Sequence, residues 1–118
     1  MDIRLDPNSS TPPFEQLRTR IIDDIRGGIL PAGHRLPTVR GLAEELGIAA
    51  NTVARAYREL EADGFIETRG RSGSYVNAQG DATERAAQEA ARAYADRIAA
   101  LGVDAATALR YVRSALGA

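Results

Sequence analysis

"GIAANTVARAYRELEADGFIETRGRSGSYV", residues 47–76, joins two kinds of pattern. In its first half, Val53, Ala56, Tyr57 and Leu60 fall at i, i+3, i+4 and i+7, one face of a helix. The opposite face carries Asn51, Arg55, Arg58 and Ala62, and Asp63-Gly64 end the run. The second half reads as a hairpin. Phe65 and Ile66 begin one strand, "RGRSG" turns the chain, and Tyr75 and Val76 close the other. The turn places Arg69 and Arg71 among glycines. The helix opens on Ala49-Ala50, which lack the oxygen that a capping side chain supplies.

Working upstream, Thr38 is a good N-cap after Pro37 for a second helix. Val39, Leu42, Ala43 and Leu46 form its apolar face, and Gly47 ends it. Gly41 inside it costs ~1 kcal/mol relative to alanine, which points to a close approach on that side. Two helices separated by a few residues, glycine first, form a helix-turn-helix. Before them, Pro13 to Arg26 is a helix with Phe14, Leu17, Ile21 and Ile25 on one stripe, stopped by Gly27-Gly28. Residues 1–12 read as an extended entry. Ile29 to Leu36 reads as a turn and a short extended piece, because two prolines and a glycine oppose a helix.

Downstream, residues 82–118 turn alanine-rich and lack proline. Ala87, Ala91, Tyr94, Ile98 and Leu101 alternate spacings of four and three, a coiled-coil-like seam. Gly102 breaks this helix. Asp104 is expected to cap a last one, with Leu109, Val112 and Leu116 on one face. A helix pair this poor in large apolar side chains needs a partner surface. Dimerisation through Tyr94, Ile98, Leu101, Leu109, Val112 and Leu116 is the expectation.

The composition narrows the function. The chain has 118 residues, 44% hydrophobic and 26% charged, as in ordinary folded proteins. Cysteine is absent and His34 is the single histidine, so a cysteine or histidine metal cluster is not expected. No apolar run approaches the ~18 residues that span a bilayer, and "MDIRLDPNSS" has no signal-peptide core. A cytoplasmic protein without a membrane partner is expected. The net charge is −1, so any basic surface is local; all 15 basic residues are arginine. No paired catalytic carboxylates, nucleophile motif or phosphate loop stands out. Too few residues follow the hairpin for a catalytic domain, so neither an enzyme nor a cofactor is expected.

Helix-turn-helix plus hairpin is a winged helix-turn-helix. The fold class expected is mainly α with a small β wing: a DNA-binding domain over residues 1–78 and a two-helix tail over 79–118. The third helix fits the major groove, and the glycine-rich wing lets backbone approach a phosphate or the minor groove.

The stretches "GILPAGHRLP", "RGLAEELGI" and "NTVARAYRELEADG", in that order, resemble the DNA-binding domain of the GntR family of bacterial transcription regulators over roughly residues 12–76. The short tail resembles the YtrA-like subfamily. The resemblance implies a homodimer on a two-fold symmetric operator, a repressor, with genes for membrane transporters as the expected target class. It places Arg40, Asn51 and Thr52 at DNA-contacting positions and Arg69, Gly70 and Arg71 at the wing tip, with Arg55 one turn further along the recognition helix. Compatible roles are Arg40 and Thr52 on phosphates and Arg55 or Arg58 on base edges. Where relatives often have Ser-Arg or a proline before Asn-Thr-Val, this chain has Ala49-Ala50, and His34 stands where an acid is common.

Each arginine also has a plainer reading. Arg40 could pair with Glu44, Arg55 with Glu59 and Arg58 with Glu61 along their helices. The Arg69–Arg71 tip could be a solvated turn, and His34 a turn residue. Tyr57 reads as core, and Tyr94 and Tyr111 as packing. A winged helix that docks another protein is the alternative to DNA binding; it would need large apolar residues on the outer face of the third helix. The tail is too small for a deep pocket, which leaves the cleft between tail and DNA-binding part for any small effector.

Overall fold

The computed structural model describes residues 2–118. The chain runs through α1 (Pro13–Arg26), α2 (Val39–Leu46), α3 (Ala50–Ala62), β1 (Ile66–Thr68), a 3-10 turn at Gly70–Ser72, β2 (Ser74–Val76), α4 (Ala82–Leu101) and α5 (Ala105–Leu116). This is the expected winged helix-turn-helix followed by two helices.

The helical stripes become the core. Leu17 and Ile21 of α1, Leu42 of α2, and Val53 and Leu60 of α3 are fully buried, and Ile66 and Val76 close the cluster from the strands. Ile22 and Ile25 extend it along α1, and Ile3 reaches it from the entry segment. Each fully buried aliphatic side chain contributes about 1.5–3 kcal/mol. Phe14 sits only half-buried at the head of α1. Asp24 is the one buried charged residue among the described residues and is held by Arg20 at 3.1 Å, one turn away.

The turn between α2 and α3 is Gly47-Ile48-Ala49. Gly47 is left-handed (φ 68°), and the Ile48 N–H donates to the Ala43 carbonyl at 3.1 Å, closing the end of α2. Thr38 caps α2 by accepting from the Gly41 N–H at 3.0 Å. The close approach expected at Gly41 is this cap itself: a Cβ there would lie 2.9 Å from the Thr38 hydroxyl, and no neighbouring helix is involved. The Tyr57 hydroxyl crosses from α3 to donate to the Pro37 carbonyl at 2.7 Å, just before α2. Burial pushes this phenol well above its usual pKa.

The wing has more strand than its hairpin. β1 and β2 pair antiparallel with Ile66 opposite Val76 and Thr68 opposite Ser74. The first strand starts at Ile66 and not Phe65, because the Phe65 N–H is used by the Leu60 carbonyl at the end of α3. The extended piece around Arg35 lies along the other edge of β2. Gly33 donates to Val76, Val76 to His34, and Leu36 to Ser74, at 2.8–2.9 Å. His34 therefore serves the sheet through its carbonyl.

In the tail, Asp81 and Glu84 form a capping box at the head of α4. Asp104 occupies the cap position of α5, where the Thr107 hydroxyl, and behind it the Thr107 and Ala106 N–H groups, hold its carboxyl below its usual pKa. Tyr94 joins the two helices by donating to the Ala108 carbonyl at 2.9 Å.

Tyr57→Phe leaves the ring in the core and the Pro37 carbonyl without its donor. Urea unfolding should show a loss of about 1 kcal/mol with an unchanged m-value; unchanged stability would mean that the bond contributes nothing net.

Candidate nucleic-acid interface

Burial of Val53, Ala56, Tyr57 and Leu60 fixes which face of α3 points out. Asn51 and Arg58 are exposed there, and Thr52 is half-buried. Arg58 makes no ion pair among the described residues. Its expected partner Glu61 is occupied elsewhere, accepting from the Thr68 N–H at 3.1 Å and so tying α3 to β1. Arg40, on α2, is likewise exposed and does not pair with Glu44.

Arg55 behaves differently. Its Nε lies 3.3 Å from Glu59, and its guanidinium stacks 3.6 Å above the Phe14 ring. The plainer reading of Arg55 is thus realised, with an aromatic contact added. A planar guanidinium keeps free N–H groups at its edge while its face rests on a ring.

At the head of α3, Ala49 has extended backbone (φ −67°, ψ 142°) and offers no cap. Thr52 donates to the Ala49 carbonyl at 3.0 Å, while the N–H groups of Ala50 and Asn51 have no partner among the described residues. Open N–H groups at a helix start attract anions.

In the wing, Arg69 is engaged: its Nε donates to Glu67 at 2.6 Å and its guanidinium lies 4.3 Å over the Tyr75 ring. The Tyr75 hydroxyl donates to the Ser72 carbonyl at 3.2 Å, bracing the turn. Gly70 (φ 53°) and Gly73 (φ 114°) take backbone angles that side chains disfavour. Arg71 projects from this turn, exposed and without an ion pair among the described residues.

Sequence reasoning missed Arg35. It sits opposite Tyr75 on the added strand, exposed, with its Nε 3.1 Å from where a Cβ on Gly73 would be. The period-two rule held the signal: Leu36 is buried, so its neighbour must face out. The short stretch between prolines hid it.

The residues expected at a dimer contact lie along α4 and α5. Tyr94, Ile98 and Val112 are half-buried, whereas Leu101, Leu109 and Leu116 are 58%, 54% and 77% exposed. Between the helices runs a shallow groove of about 380 Å³ bordered by Ile98, Val103, Leu109 and Val112. Tyr111, 53% exposed, stands beside Arg110.

Residues 13–76 match the family model described as bacterial regulatory proteins, gntR family. HTH-type transcriptional regulator Rv1152 of Mycobacterium tuberculosis is 51% identical over 110 residues, covering 93% of this chain and 90% of that protein. HTH-type transcriptional repressor YtrA of Bacillus subtilis is 43% identical over 75 residues, 64% of this chain and 58% of its own length. Among solved structures, YtrA from Sulfolobus acidocaldarius superposes with a TM-score of 0.62 at 28% identity, covering 98% of this chain and 97% of that one. The DNA-binding domain of AraR, solved with operator ORX1, shares the fold at a TM-score of 0.56 and 22% identity over 63% of this chain and 92% of its own. With its winged helix-turn-helix inside the matched span, the chain belongs to the gntR family of bacterial regulatory proteins and is a DNA-binding transcription regulator.

Proposed function

We propose that this regulator is a homodimeric repressor of a two-fold symmetric operator, with residues 1–78 reading DNA and the helical tail, residues 79–118, joining the copies. The observation that carries the reading is the outer face of α3, where Asn51 and Arg58 stand exposed and Arg58 has no ion pair among the described residues. Among the described residues, nothing in the fold uses these side chains. In the groove, Arg58 and Asn51 face base edges, and Arg40 and Thr52 face the phosphates beside them. Gly70, Arg71 and the stacked Arg69 meet the minor groove or adjacent backbone. Arg55 reaches DNA from its platform on Phe14. The relative named a repressor, YtrA, supports repression. Genes for membrane transporters are the target class that the short tail suggests. The polar outer face of α3 weighs against a winged helix that docks protein. The role is one of binding, without catalysis.

The exposed apolar edge of the tail, Leu101, Leu109 and Leu116, is where a second copy would bury surface. A monomer that exposes these large side chains along α4 and α5 gains from association.

Binding of purified protein to its own upstream DNA should survive excess competitor DNA at moderate salt. Arg40→Ala is expected to weaken binding evenly across sequences and to lower the log–log salt slope by about 1. Arg58→Ala should lose discrimination by about 1–3 kcal/mol at one base pair per half-site. If both variants bind as the parent does, α3 is not the reading helix. Truncation after Gly80 should give monomers by light scattering; a truncated chain that stays dimeric places the interface elsewhere. Ala49→Ser should raise the stability of the free protein by about 1 kcal/mol. DNA affinity should stay level or fall, since a phosphate already serves those N–H groups in the complex. No gain in thermal or urea stability would refute this account of the α3 terminus.

A further inference from the structure

The tail meets the winged helix at few points. Within the tail, Gln88 of α4 accepts from the Gln79 N–H at 3.2 Å and donates to the Gln79 carbonyl, tying α4 to the segment that leads into it. The alkyl stem of Arg92 lies directly on Gly33, where a Cβ would collide with it. Around these contacts α4 does not close on the body, and a cleft of about 650 Å³ remains beneath it. That volume falls in the ~300–1,000 Å³ range of small-molecule sites. One wall is the chain around Leu30, Pro31 and Ala32; the other is Ala91 and Ala95 of α4.

The charges along this cleft are unequally committed. Glu84 accepts from the Asp81 N–H in the capping box. Arg92 is held by Asp96 at 2.6 Å. Arg26, in the lining, has no carboxylate partner among the described residues; its guanidinium lies 5.5 Å over the Phe65 ring. The cleft thus pairs small apolar walls with Arg26, a cation without a carboxylate partner among the described residues, and with the Glu84 carboxylate turned toward the α4 cap.

We propose that this cleft binds a small organic anion, its apolar body between Pro31 and Ala91 and its carboxylate on Arg26, and that occupancy sets the angle between tail and winged helix. A ligand that touches both walls binds best at one angle and so draws the chain toward it. This regulatory half rests on the homodimer joined through the tail, because there the angle sets the spacing of the two α3 helices. Half-sites one DNA turn apart, ~34 Å, tolerate little change in that spacing. Binding to the cleft does not depend on that reading.

The test titrates the full chain with cyclohexanecarboxylate and, separately, with cyclohexanecarboxamide, following backbone amides by nitrogen–proton NMR. The carboxylate should give saturable shifts at Gly28, Ala32 and Ala91, and the amide should bind about fivefold more weakly, as loss of one exposed charge contact implies. Arg26→Gln should abolish that preference, and Ala91→Phe should block both probes while circular dichroism stays unchanged. No saturable shift at these residues, or equal binding of acid and amide by the unaltered chain, overturns the proposal whatever the variants do. Affinity for upstream DNA is measured in parallel. Saturation of the cleft with DNA affinity unchanged overturns the regulatory half alone. Failure to bind DNA at all, with the cleft shifts intact, overturns the operator reading and leaves the anion site standing.

Discussion

Burial of the inner face of α3 is the constraint from which the rest of this molecule follows. Val53, Ala56, Tyr57 and Leu60 lock the rotation of one helix against α1 and α2, and that rotation alone decides what faces outward. No charge arrangement could present Asn51 and Arg58 if the four apolar residues did not seat first. The Tyr57 bond to Pro37 adds a directional restraint to a non-directional one. It ties α3 to the loop before α2, so the two helices share a common footing.

The arginines show how a chain with net charge −1 still keeps exposed cations without ion pairs among the described residues. Some are neutralised where they stand: Arg20 by Asp24, Arg55 by Glu59, Arg69 by Glu67, and Arg92 by Asp96. Others, among them Arg35, Arg40, Arg58 and Arg71, are exposed and project from α2, α3 and the wing. The overall sum hides this sorting. Two of the engaged residues, Arg55 and Arg69, also stack on aromatic rings. Stacking restricts a flexible side chain before any partner arrives and lowers the entropy lost on contact.

Periodicity made the helices legible. The 3.6-residue repeat located α1, α2 and α3 and named their buried faces, because each stripe had one core to fill. Hairpin chemistry located the wing in the same way. Two features escaped for physical reasons. The strand at Arg35 is too short for a period to show, and only its pairing with β2 defines it. The engagement of Arg55 depends on Phe14, 41 positions earlier in the chain, and helix spacing alone cannot foresee a ring from another helix. Gly41 illustrates the opposite error: a real crowding was inferred, but its source was the residue's own helix cap.

The strand contributed by Gly33 to Leu36 changes what kind of object the wing is. A free hairpin on two short strands would sway about its base. Here the central strand, β2, is bonded on both edges, and the outer edge continues through Pro37 into the Thr38 cap of α2. Helices α2 and α3 and the wing are therefore parts of one stiff frame. On DNA bound as proposed, such a frame would hold its helix contact and its wing contact at a set separation along the duplex. It would measure the duplex as a caliper does, sensing local twist and groove width at base pairs that it does not touch.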